Sequence, residues 1–407
     1  MNVGIDVAAV GQVLDGVLVV EFGSDVAAPF CGKLLADYGA TVIKIEAPGT
    51  GDPSREAGPF PPDGPNREAS ALYLYLNTNK QSVTLDLEQA AGRRLAFDLA
   101  RQADIMVENL PTGYLDGIRL GYQELRTANP KLVYVSLSAW GRTGPRANWQ
   151  STNLVSLATG GQMQLTGDPD REPLKSGGEQ ADYQLGLNGF SATLVGLWDA
   201  LETGTGQLIE ISAQEVMAST LEVALNTYAY IGVDVWGERK GNIVASTMGI
   251  FPCIDGYIGV HAMPRNFPPL TEVMGMPELA SDERFSSPAA RLQNNDDLTA
   301  IMFAWALEQQ KHEVYARAGA MRGPIAFVHD MADLFTSPQL QARDFLHEVE
   351  YPVAGRIMLP GAPFQMSESP ARIGRAPLLG EDTAAVLRDR LGVTEDDLRT
   401  LAGQGTI

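Results

Sequence analysis

The sequence predicts an α/β protein with a parallel sheet in its first part and a smaller α+β domain further along. Three observations predict it. Short apolar runs alternate with helical patterns over the first 140 residues, which is how βαβ units read. Glycine- and proline-rich turns follow the apolar runs, where strands end and unusual backbone angles are needed. Beyond Thr152 the texture changes to small residues and long helices, and short strands return between about Trp236 and Gly319.

The elements follow in order. Gly16–Phe22 reads as a buried strand, and Pro29–Tyr38 as a helix stopped by Gly39. Ala40–Ala47 is a second strand, closed by the turn-rich loop Pro48–Pro53. Ser82–Leu87, Asp104–Asn109 and Lys131–Leu137 continue the sheet, with helices near Glu88–Gln102 and Gly121–Ala128 between them. A long helix is expected over Tyr183–Glu202, broken by Thr203–Gly206 before a strand at Gln207–Ile211, and one more helix over Gln214–Ile231. The smaller domain has a strand at Tyr257–His261 and helices at Leu298–Glu308 and His312–Ala318. Tyr351–Pro377 reads as irregular and rich in proline and glycine, ahead of an amphipathic helical tail.

Composition narrows the function classes. The 407 residues carry 30 Lys+Arg against 50 Asp+Glu, a formal charge of −20, so the surface repels nucleic acid and anionic membranes. Two cysteines, Cys31 and Cys253, lack a metal or disulfide spacing and fit a reducing compartment. The stretch Met1–Asp6 lacks the basic and apolar regions of a signal peptide, and no window holds the roughly 18 apolar residues of a membrane span. A cytoplasmic protein without a membrane or nucleic-acid partner is expected. The histidines His261, His312, His329 and His347 are scattered singly, so no metal site is expected.

Colinear blocks point to a family. Pro29 through Glu46, including Leu-Leu-Ala-Asp-Tyr-Gly-Ala and Val-Ile-Lys-Ile-Glu, is followed by Gly51-Asp-Pro-Ser-Arg55. Asn77-Thr-Asn79-Lys80, Ala103–Asn109, Asn129-Pro130, Asp182–Gly189, Gly204-Thr-Gly-Gln207, Pro252–Gly256 and Leu379-Gly-Glu-Asp382 come in the same order. Together they resemble class III CoA-transferases, a group with formyl-CoA and carnitine CoA-transferases that also contains α-methylacyl-CoA racemases. The resemblance implies a Rossmann-like large domain from residues 1–225 and 331–407, a small α+β domain at 226–330, and an interlocked, ring-like homodimer. It also implies coenzyme A, carried in as acyl-CoA, with a carboxylic acid as the second substrate and no metal.

Site residues follow by position. In the family an aspartate at a helix start attacks the thioester, and Asp182 occupies that place. Read from the residue alone, Asp182 caps a helix beginning at Tyr183. The family's formyl-CoA transferases place a glutamine in the loop after the first strand, where this chain has Val26; the backbone N–H groups of Ala27 and Ala28 are left to stabilise an oxyanion. The other reading of Ser24–Ala28 is a plain strand-to-helix loop. Lys44, Arg55, Asn79, Lys80, Asn109, Arg142, Arg146 and Ser151 are the expected CoA-binding positions, each with surface solvation as the alternative. Lys44 and Lys80 stand out because the chain has only seven lysines. Positions often basic in formyl-CoA transferases are Ala47 and Gly117 here. The racemase branch needs a histidine where this chain has Ser151, which disfavours but does not remove the alternative of an α-methylacyl-CoA racemase. A non-catalytic CoA-binding subunit is the third reading. Val244–Gly249 lacks the glycine run expected for formyl or oxalyl substrates. Tyr73, Tyr75, Trp140, Trp149 and Met163 are candidate apolar linings or core.

Overall fold

The computed structural model describes residues 11–234, 239 and 241–407. Met1–Asp6 and Trp236, on which the expectations about a leader and about the start of the smaller domain fell, lie outside the described residues. The chain divides into two compact units, the first formed by the described residues up to Gln162 with Ser176–Glu222 and Gln341–Ile407, the second by Met163–Lys175 and Val223–Leu340.

In the first unit the order is β1 (Leu18–Phe22), α1 (Ala27–Asp37), β2 (Thr41–Glu46), α2 (Ala71–Leu76), β3 (Gln81–Thr84), α3 (Ala90–Ala100), β4 (Ile105–Glu108), α4 (Tyr114–Gly117), α5 (Tyr122–Ala128), β5 (Val133–Ser138), α6 (Asn153–Thr159), α7 (Gln180–Thr203), β6 (Leu208–Ser212) and α8 (Ala213–Ser219). The six strands form one parallel sheet in the order β3-β2-β1-β4-β5-β6, with Val20 paired to Ile43 on one side and to Met106 on the other. Helices cover such sheets on both faces, so inner strands are apolar throughout. Val19, Val20, Val42, Ile43, Met106 and Val107 are accordingly fully buried. The strand order reverses between β1 and β4, and the carboxyl ends of these two strands open the crevice where doubly wound sheets place their ligands.

Gly39 ends α1 at φ +110°, which only glycine adopts without strain. The helix expected over Gln214–Ile231 is two helices, α8 and a second at Glu222–Ile231. Ser219 and Thr220 donate their hydroxyls back to the Val216 and Met217 carbonyls and end the first. The segment expected to be irregular after Tyr351 contains half of an antiparallel hairpin, Leu346–Tyr351 with Gly355–Pro360. Further on, the chain returns to the edge strand β3, where Asp382 and Thr383 accept the N–H groups of Ser82 and Thr84 at 2.9 Å each. That covers an edge that would otherwise offer unpaired backbone groups.

The second unit has a four-stranded antiparallel sheet, Ile243–Ala245, Met248–Cys253, Gly256–His261 and Ile325–Phe327. Helices Phe267–Met274, Asn295–Ala306 and Lys311–Met321 close its core around Phe251, Phe267, Leu298 and Met302. No helix among the described residues is long and apolar enough to cross a membrane.

Ion pairs are buried at the carboxyl edge of β1 and β2. The Lys44 ammonium lies 2.9 Å from Glu21 and 2.6 Å from Asp52 and donates to the Gly23 carbonyl at 2.8 Å. Lys80 approaches the other Glu21 oxygen at 2.8 Å and also donates to the Pro29 carbonyl and Asn77. Gly32 has no side chain because a Cβ there would sit 1.9 Å from that same Glu21 oxygen. Arg55 holds Glu46 with two nitrogens, at 2.8 and 2.9 Å, and lies 3.6 Å above the Tyr73 ring. Glu21, Lys44 and Arg55 are all at 0% exposure, so each charge depends wholly on its partners. Burial opposes the charge on Lys44, and Asp52 and Glu21 outweigh it, holding its pKa above the ordinary lysine value. Replacing Lys44 by methionine leaves the buried Asp52 without a cation and Glu21 with Lys80 alone. It is expected to cost about 3–5 kcal/mol in urea unfolding, whereas a loss below about 1 kcal/mol would show the pairs to be dispensable.

Candidate active site

The first turns of α1 and α7 converge over the crevice. Gly186 permits this, since a Cβ on it would lie 2.5 Å from the Ala27 carbonyl oxygen. Phe30 of α1 meets Tyr183 of α7 edge to face at 5.0 Å. Asp182 stands in the first turn of α7, one turn before Gly186.

Asp182 does not cap the helix. The N-cap residue is Glu179, and no N–H or O–H among the described residues donates to the Asp182 carboxylate. Capping comes from another element instead: Asn153, which opens α6, accepts the Ala181 N–H at 2.8 Å and donates to the Gly178 carbonyl at 3.3 Å. Burial, together with the negative charges of Glu179 and Asp25, pushes the Asp182 pKa up to about 6. The carboxylate is therefore half-buried, unbonded and costly to ionise.

Opposite it runs the loop Gly23–Val26. Val26 is buried and makes no side-chain cap, so this position contributes no polar donor. The Ala27 and Ala28 N–H groups open α1, where no intrahelical acceptor exists, and neither finds an acceptor among the described residues. Asp25 adopts φ +61° and donates its N–H to Asp52 at 3.2 Å, which ties the loop to the Lys44 pair. Burial raises the Asp25 pKa, and Asp52 adds to the shift. Asn109, at the end of β4, accepts the Ser24 N–H and donates to the Ser24 carbonyl, both at 2.9 Å, and so clasps the loop across the crevice.

The expected CoA-binding residues fall into two groups. Lys44, Arg55 and Lys80 have their head groups inside the ion pairs and expose 0, 0 and 5% of their surface. Burial lowers the Lys80 pKa to about 8. Asn79 binds the Asp37 carboxylate, the Arg372 carbonyl and the Gly374 N–H. These residues, with Asn109, brace the loops of the crevice from below. Arg142, Arg146 and Ser151 lie in or after the loop that leaves β5. Arg142 reaches Asp116 at 2.5 Å and Glu108 at 3.4 Å, while Arg146 is exposed. The Ser151 hydroxyl is 3.3 Å from that of Ser156 and from the Thr152 carbonyl. Of the proposed linings, Tyr73 is core at 0% exposure, whereas Trp149 is 61% exposed.

Asn153, Asp25 and Glu108 were not singled out from the sequence. Burial pushes the Glu108 carboxyl up to about 7 at the end of β4. The legible signal was Asp25, an acidic residue in an otherwise small and apolar strand-to-helix loop. Among the described residues, no group of three or more His, Cys, Asp or Glu side chains is placed to hold a metal ion.

The geometry can be compared with that of known proteins. The family model for CoA-transferase family III matches residues 14–383. A succinyl-CoA–D-citramalate CoA-transferase of Chloroflexus aurantiacus is 33% identical over 400 residues, covering 97% of this chain and 98% of its own length. A formyl-CoA:oxalate CoA-transferase of Streptomyces avermitilis is 30% identical over 415 residues, 97% of this chain and all of that one. The crystal structure of a CAIB/BAIF family protein from Brucella suis superposes with a TM-score of 0.83 at 31% identity, over 93% of this chain and 100% of that one. With the match running through both units and across the crevice residues, the chain belongs to CoA-transferase family III.

Proposed function

We propose that the protein moves CoA from an acyl-CoA to a carboxylic acid, with Asp182 as the covalent nucleophile. The observation that carries this is the Asp182 carboxylate, half-buried and without a hydrogen bond at the meeting of two helix N-termini. In the first step a carboxylate oxygen attacks the thioester carbonyl, the C–S bond breaks, and CoA thiolate leaves an aspartyl-acyl anhydride. The thiolate then attacks the aspartyl carbonyl, releasing the first carboxylate and leaving an aspartyl-CoA thioester. The acceptor acid repeats the sequence in reverse, so the energy of the thioester is kept in covalent bonds and not lost to water. The free Ala27 and Ala28 N–H groups support the tetrahedral oxyanions of these steps, in place of a side-chain donor at Val26. An interlocked homodimer belongs to the same reading. Val195, Trp198 and Leu201 support it, being 69–72% exposed along α7.

Incubation with a panel of acyl-CoAs, trapping with hydroxylamine or borohydride, and peptide mass spectrometry should place the modification on Asp182. Asp182→Ala should give neither adduct nor turnover; turnover by that variant would refute the assignment.

The reaction needs the ionised carboxylate. Activity is therefore expected to fall as the pH drops through about 6, the value to which Asp182 is raised. Asp25→Asn removes a neighbouring negative charge, eases ionisation, and should move this acidic limb of kcat/KM to lower pH.

A carboxyl whose pKa is raised on folding destabilises the folded state wherever it is ionised. Asp182→Asn should thus stabilise the protein at about pH 8, and the gain should shrink as the pH falls below about 6 and vanish only well below the ordinary aspartate value of 3.8, where the carboxyl is protonated in both folded and unfolded chains. Thermal melts of both proteins across that range read the effect.

A further inference from the structure

Beside Asp182, three helices bring three aromatic rings together. Phe30 comes from α1, Tyr75 from the end of α2 and Tyr183 from the first turn of α7. Gly186 lets Phe30 lie against α7, since a Cβ on it would stand 3.2 Å from that of Phe30. The Phe30 and Tyr183 rings meet edge to face, and Tyr75 closes the triangle with its ring centre 6.4 Å from each of the other two. The buried Lys33 ammonium lies 5.1 Å from the Tyr75 ring centre and holds that ring from the core side. Tyr73, two positions earlier on α2, is core at 0% exposure, whereas Phe30, Tyr75 and Tyr183 are each only part-buried. The three rings therefore present an open aromatic face joined to the helical turn that bears Asp182.

The same helices offer no free cation. α2 and α7 contain no lysine or arginine, and neither does the loop Gly23–Val26. The one basic residue of α1 is Lys33, whose ammonium is held by Asp37 and Thr78. Lys44, Arg55 and Lys80, below the crevice, are held in the buried ion pairs. Negative charge, by contrast, is concentrated, with Glu179 and Asp25 both acting on Asp182. Burial keeps the Tyr75 and Tyr183 phenols above their ordinary pKa, so the aromatic face itself stays neutral. A second carboxylate at the far end of a substrate would stand among like charges with nothing to pair it, which strongly disfavours binding. A flat apolar group meets the opposite situation, because aromatic edges and faces attract one another beyond what the burial of area supplies.

We propose that Phe30, Tyr75 and Tyr183 form the subsite for the acyl group, and that the substrates are aromatic monocarboxylic acids and their CoA thioesters, with dicarboxylic acids excluded. This assignment rests on the CoA-transferase reading above and names the substrate class of the same site. The carboxyl or thioester carbon lies at Asp182, and the aryl end lies on the three rings. Nucleophile and aromatic face are adjacent residues of one helix, so the distance between reacting carbon and ring is set by the rigid first turn of α7.

The test incubates the full chain with phenylacetyl-CoA, hexanoyl-CoA or succinyl-CoA and follows the rate of adduct formation at Asp182 by trapping and mass spectrometry. Phenylacetyl-CoA should exceed succinyl-CoA at least about tenfold, the mark of a site that repels a second carboxylate. Phe30→Leu and Tyr183→Leu keep an apolar side chain but lose the ring, and each should lower the ratio of the phenylacetyl to the hexanoyl rate about three- to tenfold. Both rates are read on one preparation, so a partly unfolded variant lowers them together and leaves the ratio unchanged. A succinyl-CoA rate equal to or above that of phenylacetyl-CoA, or a ratio unchanged in both variants, overturns the subsite alone, with the adduct at Asp182 still standing. Should no thioester give an adduct, calorimetry with phenylacetate separates the two readings. Binding that Phe30→Leu weakens keeps the subsite and sinks the transferase reading alone, and no binding to the parent protein overturns both.

Discussion

Burying Lys44 between Glu21 and Asp52 takes three charges out of water at once, at the point where two strands end and the crevice begins. Such a cluster persists only when every oxygen and proton has a partner. Glu21 meets Lys44 with one oxygen and Lys80 with the other, and Asp52 meets Lys44 while accepting the N–H groups of Asp25 and Ser54. The loop after β1 is thereby fixed from beneath through charge and from the side through Asn109. The first turn of α1, with its two free N–H groups, inherits its position from both. The site's rigidity is built at its base, while the surface that meets a ligand stays free of structural duties.

How much of this a sequence reveals depends on whether the decisive partner is near or far along the chain. The β1 and β2 strands were legible because a parallel sheet buried on both faces demands continuous apolar runs, and the α1 stop was legible because only Gly39 fits its φ. The fate of the lysines was not. Lys80 looks like a surface cation until Glu21, distant in sequence and adjacent in space, is seen to face it. Composition reports the number of charges and says nothing of their burial. The hairpin beginning at Leu346 was hidden because its register depends on cross-strand partners, and the break after α8 because serine and threonine end a helix only when their hydroxyls turn back. Asp182 was singled out by the family resemblance. Its freedom from capping could be known only once Asn153 was seen to do that work from another helix.

The same separation of duties shapes the chemistry. A nucleophilic carboxylate must be ionised to attack and must not be stabilised so well that attack is unprofitable. Burial and two like charges raise the Asp182 pKa to about 6, between those limits for the nucleophile proposed above. A cation beside it would lower its pKa and blunt it.

The central claim, that the Asp182 carboxylate is itself acylated during turnover, has a direct isotopic test. Acceptor acid labelled with ¹⁸O in both carboxylate oxygens is turned over with acyl-CoA in unlabelled water, and the peptide containing Asp182 is weighed. Collapse of the acceptor anhydride by attack of the CoA thiolate on the acceptor carbonyl leaves one acceptor oxygen on the aspartate, so the account predicts label in Asp182 that accumulates with turnover. New thioester formed with no label in that peptide would mean that the acid and the acyl-CoA react without passing through Asp182, and would contradict it.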